Sequence, residues 1–293
     1  MKPFVINKIL IPMDFSETAL TAIEHAAFTA QIFKADLVLL HVAEKSWEKF
    51  SIVSPELRVE APTDFVKAIE KRLEDIASGI RSKYGVKSIC ITTEGNIFSE
   101  IVNVSKEHKV DLVVMGTHGT SGVVEFFVGS NTYKVVTESI CPVISVRAHA
   151  NKVGFKNIVL PIDDSAHSRQ KVNHAIVMAK QFASKIHILG LAEGDDATEM
   201  KKFELKLEQI EEYLKKHDVL FSRKVVNGGN QAKSTYDYAK EVEADLIVIM
   251  TDQDETLTGR LLGTYAQQVV NHSKIPVMSI QPVESEIAWV NPY

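Results

Sequence analysis

The sequence predicts an α/β protein built as two tandem repeats of an open, doubly wound, five-stranded parallel sheet. Three observations lead to it. The chain is written twice, with similar segments recurring at a fixed distance. Each half alternates short apolar runs with longer stretches of helical period, the pattern of βαβ units covered by helices on both faces. In the first half, glycines follow directly on an apolar run, as they do where a strand gives way to a helix.

The repeat sets the domain organisation. "NKILIPMDFSETALTAIEHAAFTAQ", from Asn7, aligns with "KNIVLPIDDSAHSRQKVNHAIVMAK", from Lys156. Pro12, Asp14, Ser16, His25 and Glu44 pair with Pro161, Asp163, Ser165, His174 and Glu193, 149 positions on. Near the ends of the halves, "VDLVVMGTHG" aligns with "ADLIVIMTDQ" and "SICPVISV" with "SKIPVMSI" at an offset of 134, so the first half carries 15 extra residues in its middle. We expect domains at 1–148 and 153–293, joined near "RAHANKVGF".

In the first half, "KILIPM" suits a buried parallel strand, and "SETALTAIEHAAFTAQIF" has helical period. "ADLVLLHVA" is the second strand. Val66, Ile69, Leu73, Ile76 and Ile80 form one face of the next helix, which Gly85 stops. "KSICITTEGN" is a third strand, "IFSEIVNVSKEHK" a helix and "VDLVVMGT" a fourth strand. A glycine loop, a helix through "NTYKVVTES" and a last strand in "CPVISVR" complete the unit. The second half repeats the order, with Phe203, Leu207, Ile210 and Leu214 as the stripe of its charged helix.

Composition narrows the class. With 293 residues, 45% hydrophobic and 24% charged, the chain is globular and long enough for two domains. A net charge of −5 argues against a general nucleic-acid binder. The N-terminus does not read as a signal peptide and no uncharged run is long enough to span a bilayer, so a cytoplasmic protein is expected. Cys90 and Cys141 read as buried, reduced thiols.

The stretch "MGTHGTSGVVEFFVGSNT" holds the chemistry. Gly116, Gly119 and Gly129 follow the strand "DLVVM", and Gly129-Ser130 stands before a helical run. Glycine permits positive φ and lets a ligand approach the backbone. The free N–H groups and dipole of a helix start attract phosphate oxygens, which Ser130 and Thr132 could also reach. A mere turn of the chain is the plain alternative. No lysine of the G-x4-GK[ST] type is present, so this is not that P-loop. Asp14 ends the first strand, where its carboxylate could accept from a ribose or cap the following helix, a role open equally to Ser16.

This arrangement resembles the universal stress protein family, of the kind that binds ATP. "ILIPMDFSETA", "LLHV", "DLVVMGTHGTSGVVEFFVGSNT" and "CPVISV" carry the resemblance, and the repeat extends it over the whole chain. It implies a sheet of order 3-2-1-4-5, as in adenine-nucleotide alpha-hydrolase-like folds, with adenine nucleotide at the switch point. By the same resemblance Pro12, Met13 and Asp14 contact adenine and ribose. Val42 offers backbone atoms to the adenine edge, and Met115 lines the pocket. Gly116, Gly119, Gly129, Ser130, Asn131 and Thr132 hold ribose and phosphates. His118 lies inside the motif, with solvent as the alternative for its side chain. The cofactor implied is ATP, or ADP or AMP, with Mg2+ as a candidate companion.

The second half departs from this pattern. Met250 and Gln253 replace Gly116 and Gly119, while Gly263-Thr264 preserves Gly129-Ser130. Asp252, Asp254 and Glu255 bring carboxylates towards the phosphate position, where like charges about 4 Å apart repel by about 1 kcal/mol even in water. Nucleotide binding is therefore expected in the first domain only, with the second structural or pairing. A cationic or uncharged ligand, or a metal on Asp163, Asp164 and Asp252, are alternatives there. The histidines form no ligand spacing, and His25 and His174 read as one repeated structural position.

No positioned base, nucleophile or loop cation accompanies the glycines, so the expectation is a regulatory nucleotide-binding protein with at most weak ATP hydrolysis. A slow ATPase, an adenylyl-transfer enzyme and a non-binding scaffold are the alternatives. "CPVISV" and "IPVMSI" could pair within the chain, removing two apolar edges, and a homodimer is a further expectation. Trp47 and Phe50 mark a connection that reads as a packed loop or a lid, and the tail holds Trp289 and Tyr293.

Overall fold

The computed structural model describes residues 4–43, 62–117, 129–150, 152–251, 253–256 and 259–283. Trp47, Phe50, His118, Gly119, Asp252, Trp289 and Tyr293 lie outside the described residues. The chain divides into two compact units, one from Ile6 to Val153, the other from Gly154 onward. Phe4 and Val5 group with the second unit, not the first.

The first unit runs β1 (Lys8–Pro12), α1 (Glu17–Phe33), β2 (Asp36–Ala43), α2 (Pro62–Tyr84), β3 (Ser88–Glu94), α3 (Ile97–Glu107), β4 (Leu112–Gly116), α4 (Ser130–Glu138) and β5 (Val143–Val146). All its strands are parallel, in the order β3-β2-β1-β4-β5. Ile9, Leu10 and Ile11 of β1 are wholly buried, as a strand covered on both faces must be. Each such side chain contributes roughly 1.5–3 kcal/mol of burial.

Local signals set the element ends. Ser16 caps α1, its hydroxyl accepting from the Ala19 N–H at 3.2 Å, and Lys34 in the left-handed region closes the helix. Gly85, at φ 68°, follows the last residue of α2. Ile69, Leu73 and Ile80 of its stripe are buried, but Val66 is 38% exposed, so packing begins one turn later than its periodicity predicts. One device went unread: Asp111 Oδ2 accepts from the N–H groups of Asn7 and Lys8 at 2.8 and 3.0 Å, fastening the start of β1 to that of β4. Asp245 does the same for Lys156 and Asn157 at the same distances.

The second unit runs β6 (Asn157–Ile162), α5 (Val172–Phe182), β7 (Lys185–Ala192), α6 (Ala197–Lys216), β8 (Phe221–Asn227), α7 (Gln231–Glu241), β9 (Leu246–Met250), β10 (Gln253–Thr256), β11 (Gly259–Leu262), α8 (Thr264–His272) and β12 (Val277–Ile280). Its parallel strands follow the corresponding order, β8-β7-β6-β9-β12. The α6 stripe of Phe203, Leu207, Ile210 and Leu214 is buried throughout.

Two features break the repeat. β10 and β11 form an antiparallel ribbon where the sequence suggested a loop. Helix α5 begins at Val172, although α1 begins at Glu17, whose repeat partner is Ala166. The residues before α5 form turns instead, with Gln170 N–H on His167 O at 2.9 Å and Val172 N–H on Arg169 O at 3.1 Å.

Candidate functional site

In the first unit the chain winds from β1 to β2 on one side and continues through β4 to β5 on the other. Strand order therefore reverses between β1 and β4, which opens a crevice beyond their carboxyl ends. The ends of β1, β2 and β4 and the start of α4 bring Pro12, Met13, Asp14, Val42, Met115, Gly116, Gly129, Ser130, Asn131 and Thr132 to that end of the sheet.

Met13 and Met115 are 3% and 5% exposed. The Met13 N–H donates to Leu40 O at 2.7 Å, carrying the β1–β2 ladder past the strand end. Asp14 Oδ1 accepts from the Ser16 N–H at 3.0 Å and the Ser16 hydroxyl at 2.6 Å. Ser16, not Asp14, is thus the cap of α1, and Asp14 holds the cap in place. Both bonds use Oδ1.

Neither described glycine of the motif needs a left-handed backbone: Gly129 has φ −58° and Gly116 is not among the glycines with positive φ. Gly116 is required by packing, because a Cβ there would lie 2.9 Å from the carbonyl carbon and Cβ of Thr18. Gly129 caps α4 without a side chain, so the first N–H groups of that helix have no side-chain acceptor at the cap. Ser130 is exposed. Thr132, expected to reach phosphate through its hydroxyl, is buried and donates to Gly116 O at 3.0 Å, tying the helix start to the strand end.

Sequence reasoning also missed Phe15, His41 and Arg72. The Phe15 ring stacks on His41 with centroids 5.2 Å apart, and the Arg72 guanidinium lies 4.4 Å from the Phe15 centroid. Nothing in the helical period of α2 separates Arg72 from an ordinary surface residue.

The second unit keeps the glycine-led helix start and changes the residues at other matching positions. Gly263, at φ −56° and ψ 150°, matches Gly129 at φ −58° and ψ 149°, and it too caps its helix without a side chain. Met250, in the place of Gly116, is 3% exposed. Lys171 stands where the first half has Ala22 and is 2% exposed, its ammonium 3.2 Å from Ser168 Oγ. Burial alone would raise the Asp163 carboxyl, but the Lys171 charge and hydrogen bonds from Ser165 and Ser168 outweigh it and hold it below its ordinary range. The chain thus supplies its own cation beside this aspartate. Among the described residues, no group of three or more His, Cys, Asp or Glu is arranged to hold a metal.

The remaining candidates are structural. His25 is buried with Nε2 2.6 Å from Ala150 O, and the His174 ring packs at a tilt against Phe4 with centroids 4.4 Å apart. Cys90 and Cys141 are free but half-buried, not buried as expected, and Cys141 precedes β5 instead of lying in it. A cavity of about 510 Å³ lies between α1 and α2, lined by Leu20, Ile76, Ile80 and Tyr84. No helix among the described residues is long and apolar enough to cross a membrane.

A family model described as the universal stress protein family matches residues 6–147 and again 154–281. This chain is a member of the universal stress protein family. A universal stress protein of Methanocaldococcus jannaschii is 33% identical over 151 residues, covering 48% of this chain and 82% of that protein. One of Bacillus subtilis is 31% identical over 153 residues, covering 49% of this chain and all of that protein. These relatives match about half of this chain, as expected where one chain holds two universal stress protein domains. The structure of a universal stress protein from Archaeoglobus fulgidus superposes with a TM-score of 0.76, covering 97% of this chain and 99% of that one; at 20% identity it speaks to the fold alone.

Proposed function

We propose that this universal stress protein is a regulatory protein of the stress response, acting in the cytoplasm, that binds an adenine nucleotide in its first domain. The observation that carries the reading is the start of α4, a helix capped by glycine with Ser130 exposed, at a topological switch point where Asp14 follows the neighbouring strand β1. Its N–H groups would hold phosphate oxygens. Asp14, with Oδ2 outside its bonds to Ser16, would accept from ribose hydroxyls. Met13 and Met115 would give the adenine an apolar floor and the Val42 backbone an edge to bond. ATP, ADP and AMP share this chemistry, and Mg2+ would accompany the longer phosphates.

No catalytic residue is assigned. The motif contributes donors and no base or loop cation, so slow hydrolysis is the most it would support. The sequences of the last strands suggest pairing of the two domains within the chain and association of two chains, and both stay part of this proposal.

Binding of a fluorescent ATP analogue to the full chain tests the reading. Asp14→Ala should weaken binding about tenfold to a hundredfold, the scale of a lost hydrogen bond to a charged group. An affinity unchanged by Asp14→Ala, or no binding by the parent chain, contradicts it.

A further inference from the structure

Phe15 follows Asp14 directly, and its backbone has φ 63°. For a bulky aromatic residue this is a strained conformation that the surroundings must enforce. The other described non-glycine residues with positive φ are Lys34, Lys109, Ala183, Asp218 and Glu243. Each of those follows the end of a helix, where a left-handed residue closes the last turn. Phe15 alone stands before one.

Three contacts enforce it. The ring is stacked on His41 of β2 at an interplanar angle of 27°, and Arg72 of α2 lies over the ring at 4.4 Å. His41 Nδ1 is 2.7 Å from Met13 O, and because a carbonyl only accepts, Nδ1 carries the proton and donates it. His41 therefore holds the residue before Asp14 through its backbone and the residue after it through its ring.

The second domain changes all three positions together. The repeat offsets place Asp164, Gly190 and Lys206 where the first domain has Phe15, His41 and Arg72. Lys206 Nζ donates to Asp164 O at 2.8 Å, to Asp164 Oδ1 at 3.1 Å and to Asp163 O at 3.3 Å. Gly190 leaves no room for a ring, since even a Cβ would lie 2.9 Å from Leu207 Cδ1. A cation from the same helix position fastens the same loop, by an ion pair instead of a stack, and Asp164 is not among the residues with positive φ.

We propose that Phe15, His41 and Arg72 are positioning residues for the nucleotide site, together fixing the loop that presents Asp14 to the crevice. Arg72 acts through Phe15 and touches no ligand. The link to nucleotide affinity rests on the proposed function; the link to Asp14 does not.

The test uses the full chain with Arg72→Ala, Arg72→Lys and Phe15→Gly. Glycine accepts the left-handed backbone without strain, so Phe15→Gly removes the stack without forcing a new side chain into that conformation, and Arg72→Ala removes the cation with the backbone unchanged. Arg72 is exposed, so Arg72→Ala should melt close to the parent chain. Without nucleotide, the Ser16 amide, which donates to Asp14 Oδ1, should exchange several-fold faster in Arg72→Ala and Phe15→Gly. Calorimetric titration with ATP and Mg2+ should show about tenfold weaker binding, partly restored in Arg72→Lys, which keeps a cation over the ring. Unchanged Ser16 exchange overturns the inference whatever the nucleotide result, and so does faster exchange with parental ATP affinity. Faster exchange in a protein whose parent binds no ATP supports the positioning of Asp14 and removes the proposed ligand instead.

Discussion

A methyl group on Gly116 would meet both the backbone and the side chain of Thr18 at 2.9 Å, so this residue is bound to its identity by α1 before any ligand is considered. Gly116→Ala should destabilise the first domain by roughly 1–3 kcal/mol, the cost of overpacking, read as a lower urea midpoint at constant m-value. His174 sets a pH dependence. Burial is the main cause that lowers it, to about 4, from an ordinary value near 6.5. Between those values the unfolded chain takes up a proton that the folded one refuses. Stability contributed by the neutral ring is therefore full above about pH 6.5 and lost as pH falls towards 4. His174→Gln should flatten acid unfolding in that window; an unchanged pH profile would remove this role. Burial is also the main cause that pushes the Cys90 and Cys141 thiols up to about 11, so at neutral pH both should alkylate far more slowly in the folded chain than in urea.

The elements show which signals are local. Strands such as β1 and helices such as α6 were legible because an apolar run or a 3.6-residue stripe lies within the element itself. The β10–β11 ribbon was not, because "QDETLTGRLL" carries neither an alternating apolar face nor an Asn-Gly or Asp-Gly turn. The late start of α5 was equally hidden. In the first unit Thr18 packs onto Gly116; in the second, a buried methionine stands at that strand end, and the chain runs through turns before its helix begins. Lys171 then lies at the start of this shortened helix, buried beside Asp163. Removing one member of a buried charge pair commonly costs about 3–5 kcal/mol, so Lys171→Met should strongly destabilise the second domain. Calorimetric melting in which that domain's transition does not move would contradict this account of its cleft.

Across the whole molecule, the two halves share a framework and differ at the positions of the glycine motif. The aspartates that fasten β1 to β4 and β6 to β9, and the glycines that lead into α4 and α8, recur almost without change. Positions near the strand ends diverged, with Gly116 against Met250, Ala22 against Lys171 and Phe15 against Asp164. The first two glycines of the motif and their absence in the second half could be read from the sequence, since they belong to one contiguous stretch. The stack of Phe15, His41 and Arg72 could not, because three elements bring it together. The most direct measurement is calorimetric titration of the full chain with ATP and Mg2+. One nucleotide per chain, abolished by Gly129→Val and unaffected by Gly263→Val, is the predicted result; two nucleotides per chain, or none, would contradict the division of roles between the two domains.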